Sequence, residues 1–112
     1  MHSKKLLSLA TTALEELKAR DVRVLDVRRQ TAITDYMIVA SGTSDRHVRS
    51  IAEWLVQQAD AAGVPALGVE GTGSGEWVLV DLADVVVHVM QPRARDFYKL
   101  ESLWDMESAA TA

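Results

Sequence analysis

The 112-residue sequence contains no cysteine. This excludes a disulfide framework, a thiol nucleophile and a thiolate metal site, and it is compatible with a reducing compartment. Long hydrophobic runs are missing as well, since no segment approaches the ~20 apolar residues of a membrane-spanning helix. The sequence therefore predicts neither a disulfide-crosslinked protein nor a membrane-spanning helix.

Positive charge is also in short supply. The net charge is −4 and the sequence pI is about 5.3, which excludes nucleic-acid binding through a broad basic face and leaves only local arginine clusters for such a role. The hydrophobic content of 48% suits a single domain that buries roughly two-thirds of its unfolded surface.

The stretch from Glu76 to Met90 carries the clearest structural signal. Runs of β-branched residues predict strands at Trp77–Asp81 and Val85–Met90, and the three residues between them allow only a tight reversal. Side chains alternate across an antiparallel hairpin, so one face is purely valine: Val78, Val80, Val85, Val87 and Val89. The opposite face is mixed, with Trp77, Leu79, Asp81, Val86, His88 and Met90. A carboxylate and an imidazole beside a large aromatic ring favour a recognition surface over a sealed core.

Apolar periodicity predicts the remaining elements. Helical spacing favours an amphipathic helix over Ser3–Arg20 rather than a secretory signal. A second helix follows the N-cap Ser44 and ends near Gly63, and a third begins at Pro92. Three further strands are expected at Val22–Arg28, Tyr36–Ala40 and Ala66–Glu70. The strand, helix and strand around Ser44 predict a parallel crossover.

The last helix is expected to pack onto the sheet through the stripe Phe97, Leu100 and Trp104, with Arg93, Arg95 and Lys99 outside. The domain then spans 1–104, and the small polar tail 105–112 is predicted to be disordered. The predicted fold class is α/β, a mixed sheet of about five strands with about three helices, mainly on one face.

Several motifs suggest chemistry. The glycine loop at 71–75 resembles a phosphate-binding loop but opens a strand and lacks a lysine, so it predicts a flexible hairpin connection. The turn from Gly42 to Asp45 could meet an anion at a helix N-terminus, or simply cap that helix. The three histidines lack metal-ligand spacing, and Asp81 and Asp84 are typical turn residues, so no metal or cofactor is expected.

Two side chains keep alternative interpretations. His88 lies on the mixed hairpin face and suits either a satisfied core residue or a catalytic base. Trp54 lies off the core stripe of its helix, and both lateral packing and a contact surface remain open for it.

Five sequence blocks resemble the ribosomal silencing factor family, also called Iojap-related. They are TDYMIVASGTSDRH at 34–47, EG at 70–71, WVLVD and DVVVH within 77–88, and RDFYKLESLW at 95–104. The resemblance implies a non-enzymatic, cytoplasmic translation regulator that binds the large ribosomal subunit through large-subunit ribosomal protein fourteen. Such a factor blocks joining of the small subunit and lowers protein synthesis when nutrients are scarce.

The family's partner-binding surface, carried over by position, falls on Trp77, Leu79, Asp81, His88, Arg95 and Tyr98. The resemblance also implies a nucleotidyltransferase-like fold, but the Gly-Ser turn and D-x-D pair of those enzymes are absent here, which argues against their activity. A minor contact with ribosomal RNA and a homodimer are further expectations, the homodimer because the valine-and-tryptophan sheet face is large for a free monomer. The alternative function is a nucleotide-dependent transferase or hydrolase that uses Ser44, Asp81 and His88.

Overall fold

The computed structural model describes residues 1–100, in which three helices flank one five-stranded sheet. In chain order the elements are α1 Ser3–Glu16, β1 Arg20–Asp26, β2 Tyr36–Ser41, α2 Asp45–Ala61, β3 Gly68–Glu70, β4 Trp77–Asp81, β5 Val85–Met90 and α3 Pro92–Tyr98. The strand order is β1-β2-β5-β4-β3; β2 and β5 are parallel, and the other neighbouring strands are antiparallel. The α/β class and the mixed sheet are confirmed.

The hairpin of β4 and β5 inserts between β2 and β3. The pairings make β3 run parallel to β2, as the crossover predicts, but the two strands are not neighbours. β2 is buried along its whole length, because β1 and β5 flank it and helices and side chains cover both of its faces. This burial explains the continuous apolar run of its sequence.

The valine face of the sheet forms the main core. Val78, Val80 and Val87 are fully buried there together with Leu14 of α1 and Leu55 of α2. Since α1 and α2 cover Val78, Val80 and Val87, these valines add no exposed area to the sheet face from which the homodimer was expected. The homodimer itself stays a prediction.

A smaller core lies on the opposite face, under α3. It is built from Leu25, Val27, Met37, Val39, Met90 and Ala94, with Trp77 and Leu100 packed at its edge. The two faces therefore differ as the hairpin pattern predicts: two long helices seal one, and one short helix covers part of the other.

Both outer helices end earlier than predicted. α1 ends at Glu16 rather than Arg20 because Lys18 adopts a left-handed conformation with φ 59°. α3 ends at Tyr98 because Lys99 is left-handed with φ 51°. Left-handed residues terminate helices but are usually glycine or asparagine, so the sequence gives little sign of either end.

The predicted stripe of the last helix is wrong at Phe97. That side chain is 79% exposed instead of packed on the sheet, whereas Leu100 does contact the smaller core. Trp104 and the tail 105–112 lie outside the described residues.

The glycine loop is a shaped turn rather than only a flexible connection. Gly71 and Gly75 have φ of 91° and 68°, and the N–H of Gly75 donates to the carbonyl oxygen of Gly71 over 3.2 Å. Gly75 is buried against Asp45 and Arg49 of α2, where a Cβ would come within 2.8 Å of both. Glycine is needed at the two ends of this loop.

We predict that Gly71→Ala destabilises the protein by at least ~1 kcal/mol, since the new Cβ would collide with the carbonyl oxygen of Trp77 at a positive φ. Gly73→Ala is the matched control, because a Cβ at that residue would have no other atom within 4 Å and its φ is not positive. Urea denaturation of both variants measures the difference. Equal free energies of unfolding would contradict the constraint at Gly71.

Candidate partner-binding site

Trp77 is the centre of the mixed hairpin face. It begins β4 and pairs with Met90 of β5, so its indole lies diagonally across from His88 on the same face. The indole Nε1–H donates to Nδ1 of His88 over 3.0 Å, and the ring centroids are 5.8 Å apart. The imidazole thus fixes the orientation of a half-exposed tryptophan.

His88 is buried, with 6% of its surface exposed. Burial lowers its pKa to about 4, because an imidazolium loses its hydration there. The ring is therefore neutral near pH 7, and Nδ1 is free to accept the hydrogen bond from Trp77. This places His88 beneath the surface, where it supports a contact residue and offers little contact area of its own.

Tyr98 extends the site outward from Trp77. Its ring centroid lies 4.8 Å from that of Trp77, and the residue is 53% exposed. Phe97 adds an edge-to-face contact with Tyr98 at 5.0 Å. Beside these rings lies an open hollow of about 430 Å³ with a polar rim of Glu76, Arg93 and Asp96. A half-buried tryptophan in contact with an exposed tyrosine, which itself contacts an exposed phenylalanine, is typical of a protein contact surface.

Leu79 and Asp81 continue the same face along β4. Leu79 pairs with His88 and is half-buried. Asp81 accepts a hydrogen bond on Oδ1 from the N–H of Ala83 over 2.8 Å, which holds a turn where Ala83 has φ 71°. Asp81 therefore shapes the hairpin turn as well as bordering the site.

Arg95 lies on the other side of α3. Its Nη1 donates to the carbonyl oxygen of Asp21 over 2.6 Å and to Oγ of Ser41 over 3.0 Å. The prediction that this side chain stays outside is wrong, because it ties α3 to β1 and β2. The structure thus brings Trp77, His88 and Tyr98 together and directs Arg95 elsewhere.

The three residues of the enzymatic alternative do not form one site. Ser44 caps α2 with its Oγ, which accepts from the N–H of His47 over 3.1 Å, and it follows the end of β2 that pairs with Met90. Asp81 lies beside Val86, near the opposite end of β5. His88 is buried and already accepts the Trp77 hydrogen bond.

One question that the sequence left open, the role of Trp54, has a structural answer. Trp54 is half-buried against the main core, and its Nε1–H donates to Oε1 of Glu16 over 3.1 Å, so it is a lateral packing residue between α2 and α1. His47 joins the same two helices, with Nε2 2.8 Å from the carbonyl oxygen of Leu17 and Nδ1 accepting from the N–H of Thr43.

Residues 1–100 contain no group of three or more metal-ligating side chains placed to hold an ion. Within the same range, none of the helices combines the length and the apolar character needed to cross a membrane.

The family model described as ribosomal silencing factor during starvation matches residues 1–112. The chain belongs to the ribosomal silencing factor family. The ribosomal silencing factor RsfS of Chromobacterium violaceum is 46% identical over 104 residues, which are 93% of this chain and 85% of that protein. A crystal structure of a Chromobacterium violaceum protein has a TM-score of 0.92 at 46% identity and covers 94% of this chain and 88% of its own.

A more distant relative comes from mouse. Mitochondrial assembly of ribosomal large subunit protein 1 is 32% identical over 105 residues, 91% of this chain and 46% of that protein. These findings confirm the family resemblance and the fold class, and they bear out a ribosome-associated silencing role in its general form. The likeness to nucleotidyltransferases stays a prediction.

The burial of His88 predicts a pH dependence of stability. Its pKa is about 4 in the folded protein against 6.5 for an exposed histidine, so the unfolded chain binds the proton more tightly. The contribution of the neutral His88 ring to the free energy of unfolding is complete above pH 6.5. It is lost as the pH falls toward 4, by about 3 kcal/mol in all.

The matched variant is His88→Gln, whose amide oxygen can accept the Trp77 hydrogen bond without titrating. Urea denaturation at several pH values should show the wild type losing stability between pH 6.5 and 4 relative to this variant. Parallel pH profiles would show that His88 does not titrate as the burial requires.

Proposed function

We propose that this ribosomal silencing factor is a translational repressor that binds the large ribosomal subunit through large-subunit ribosomal protein fourteen. Once bound, it sterically blocks joining of the small subunit and lowers protein synthesis under nutrient limitation. The action is in the cytoplasm and involves no catalysis. The observation that carries the proposal is the aromatic surface formed by Trp77 on the mixed hairpin face together with Tyr98 and Phe97 of α3.

The comparisons support the large ribosomal subunit as the partner and starvation as the physiological context. The matching family is described by silencing during starvation, and the mouse relative is named for the ribosomal large subunit. A steric mechanism requires only a stable contact and a rigid body, and neither of these requires a cofactor.

The chemistry of the aromatic surface suits a protein partner. Trp77 offers a large flat area whose indole is held by His88 and flanked by Tyr98. Fixing the rings before binding reduces the side-chain entropy lost in the complex. Leu79 extends the apolar centre, and Glu76, Arg93 and Asp96 supply a polar rim, which is the usual arrangement at a protein interface.

Because α1 and α2 cover Val78, Val80 and Val87, we propose that a homodimer in the absence of the ribosome uses the aromatic surface instead. We therefore propose that self-association and subunit binding exclude one another. Light scattering before and after addition of protein fourteen distinguishes this from a dimer that persists in the complex.

We predict that Trp77→Ala and Tyr98→Ala each weaken binding to large subunits by about thirtyfold or more, since truncating a central aromatic anchor costs ~2 kcal/mol or more. Co-sedimentation with purified large subunits on sucrose gradients measures the loss. Tyr98 is 53% exposed, so the thermal melt of Tyr98→Ala should stay close to that of the wild type. Trp77→Ala also removes the hydrogen-bond donor to buried His88 and a contact with the smaller core, so it should lose about 1 to 3 kcal/mol of stability while remaining folded at the assay temperature.

Ile33→Ala is the control, because this side chain is 88% exposed and belongs to neither core. It should bind as the wild type does. If the two aromatic variants co-sediment normally, the mixed hairpin face is not the ribosome contact. If Tyr98→Ala unfolds at a much lower temperature than the wild type, its ring belongs to the core and not to a contact surface.

A further inference from the structure

Much of the positive charge of the chain lies in two segments, one around the edge strand β1 and the other along α3. Residues 18–29, which include β1, carry five cationic side chains against two carboxylates, and residues 92–99 carry three against one. Together these segments are therefore net positive by five in a chain of net charge −4, so the remainder is net negative by nine. A broad basic face is absent, but a local one is present.

A bulge in β1 places two arginines on one face. Arg20 pairs with Ser41 and Arg23 pairs with Val39, so three steps along β1 match two steps along β2. Without the extra residue, side chains three positions apart would lie on opposite faces. With it, both exposed arginines lie on the face that carries Val39 and the smaller core.

The bulge is held by Arg95. Asp21, inside the bulge, has φ 49°, an uncommon conformation for a residue other than glycine. Its carbonyl oxygen accepts the 2.6 Å hydrogen bond from Arg95, whose Nη1 also reaches Ser41, the cross-strand partner of Arg20. The guanidinium of Arg95 thus lies beside the bulge and keeps Arg20 and Arg23 pointing the same way.

Charged side chains also protect edge strands from pairing with other chains. Protection of an edge strand does not require both arginines on one face. It also does not require a left-handed Asp21 whose carbonyl oxygen accepts a hydrogen bond from Arg95. Guanidinium groups on one face match the bidentate geometry of phosphate oxygens.

We infer that the bulged end of β1, with Arg20 and Arg23 supported by Arg95, binds the phosphate backbone of RNA. This rests on the proposed function, in which the factor sits on a large subunit whose surface includes ribosomal RNA. The basic surface lies on the β1 side of α3 and the aromatic surface on the β4 side, so one bound factor could use both.

The test is the salt dependence of binding by the full chain. Arg20→Gln combined with Arg23→Gln removes two charges, and Lys4→Gln combined with Arg46→Gln removes two exposed charges from the opposite, helical side. Binding to intact large subunits is measured from about 50 to about 200 mM KCl. Binding to isolated protein fourteen is measured under the same conditions.

On intact subunits, the wild type should lose about tenfold more affinity over this range than the Arg20/Arg23 variant, since each phosphate contact contributes about one to the log–log slope. The Lys4/Arg46 control and the charge-preserving pair Arg20→Lys and Arg23→Lys should keep the wild-type slope. On isolated protein fourteen, all variants should bind alike.

An unchanged slope for the Arg20/Arg23 variant overturns the inference and leaves the proposed function standing. If the Arg20/Arg23 variant loses the same salt dependence on isolated protein fourteen, the inference is also overturned, because the two arginines then contact a protein. If the wild-type protein does not bind large subunits at all, both the proposed function and this inference are wrong.

Discussion

Side-chain alternation along the β4–β5 hairpin is the constraint on which the rest of the structure depends. The same two strands place valines under α1 and α2 and place Trp77, Leu79 and His88 on the opposite face. A slip of one residue in either strand would move valines to the surface and the imidazole into the main core. Core and candidate site are therefore specified together by one register, and neither can change without the other.

The parallel pairing of β2 with β5 extends this constraint across the sheet. It aligns Val39 with His88 and Ser41 with Met90, so the smaller core, the buried imidazole and the anchor of Arg95 all lie on one face. A short helix, α3, is sufficient to cover that face in part. Its incomplete cover leaves Trp77 half-exposed and Tyr98 accessible beside it.

The sequence predicted those features that depend on local pattern. Both hairpin strands have the predicted bounds, because β-branched runs with a three-residue turn admit few alternatives, and Ser44 caps α2 as its residue type suggests. The early ends of α1 and α3 were not predictable. Each end is followed by a left-handed lysine, Lys18 or Lys99, and lysine gives no signal of that conformation. The grouping of Trp77 with His88 followed from alternation alone, and the resemblance added Tyr98.

Features that depend on distant contacts escaped sequence reasoning. Phe97 was assigned to the buried stripe because its spacing from Leu100 fits a helix, yet the helix ends before that stripe is completed. Arg95 hydrogen-bonds to residues more than fifty positions away, so nothing near it in the sequence marks its role. The bulge in β1 was equally hidden, because only the register against β2 shows that Arg20 and Arg23 share a face.

The separation of aromatic and basic surfaces by α3 bears on how a protein of 12.3 kDa could block a much larger particle. Steric exclusion depends on orientation as well as affinity, because a factor that pivots about a single contact still allows a partner to approach. Two contacts on either side of α3 would fix that orientation, and the second would form at the high effective concentration set by the first. The net negative remainder of the chain would repel other phosphate surfaces, so the basic edge would act only where the aromatic contact has already docked the protein.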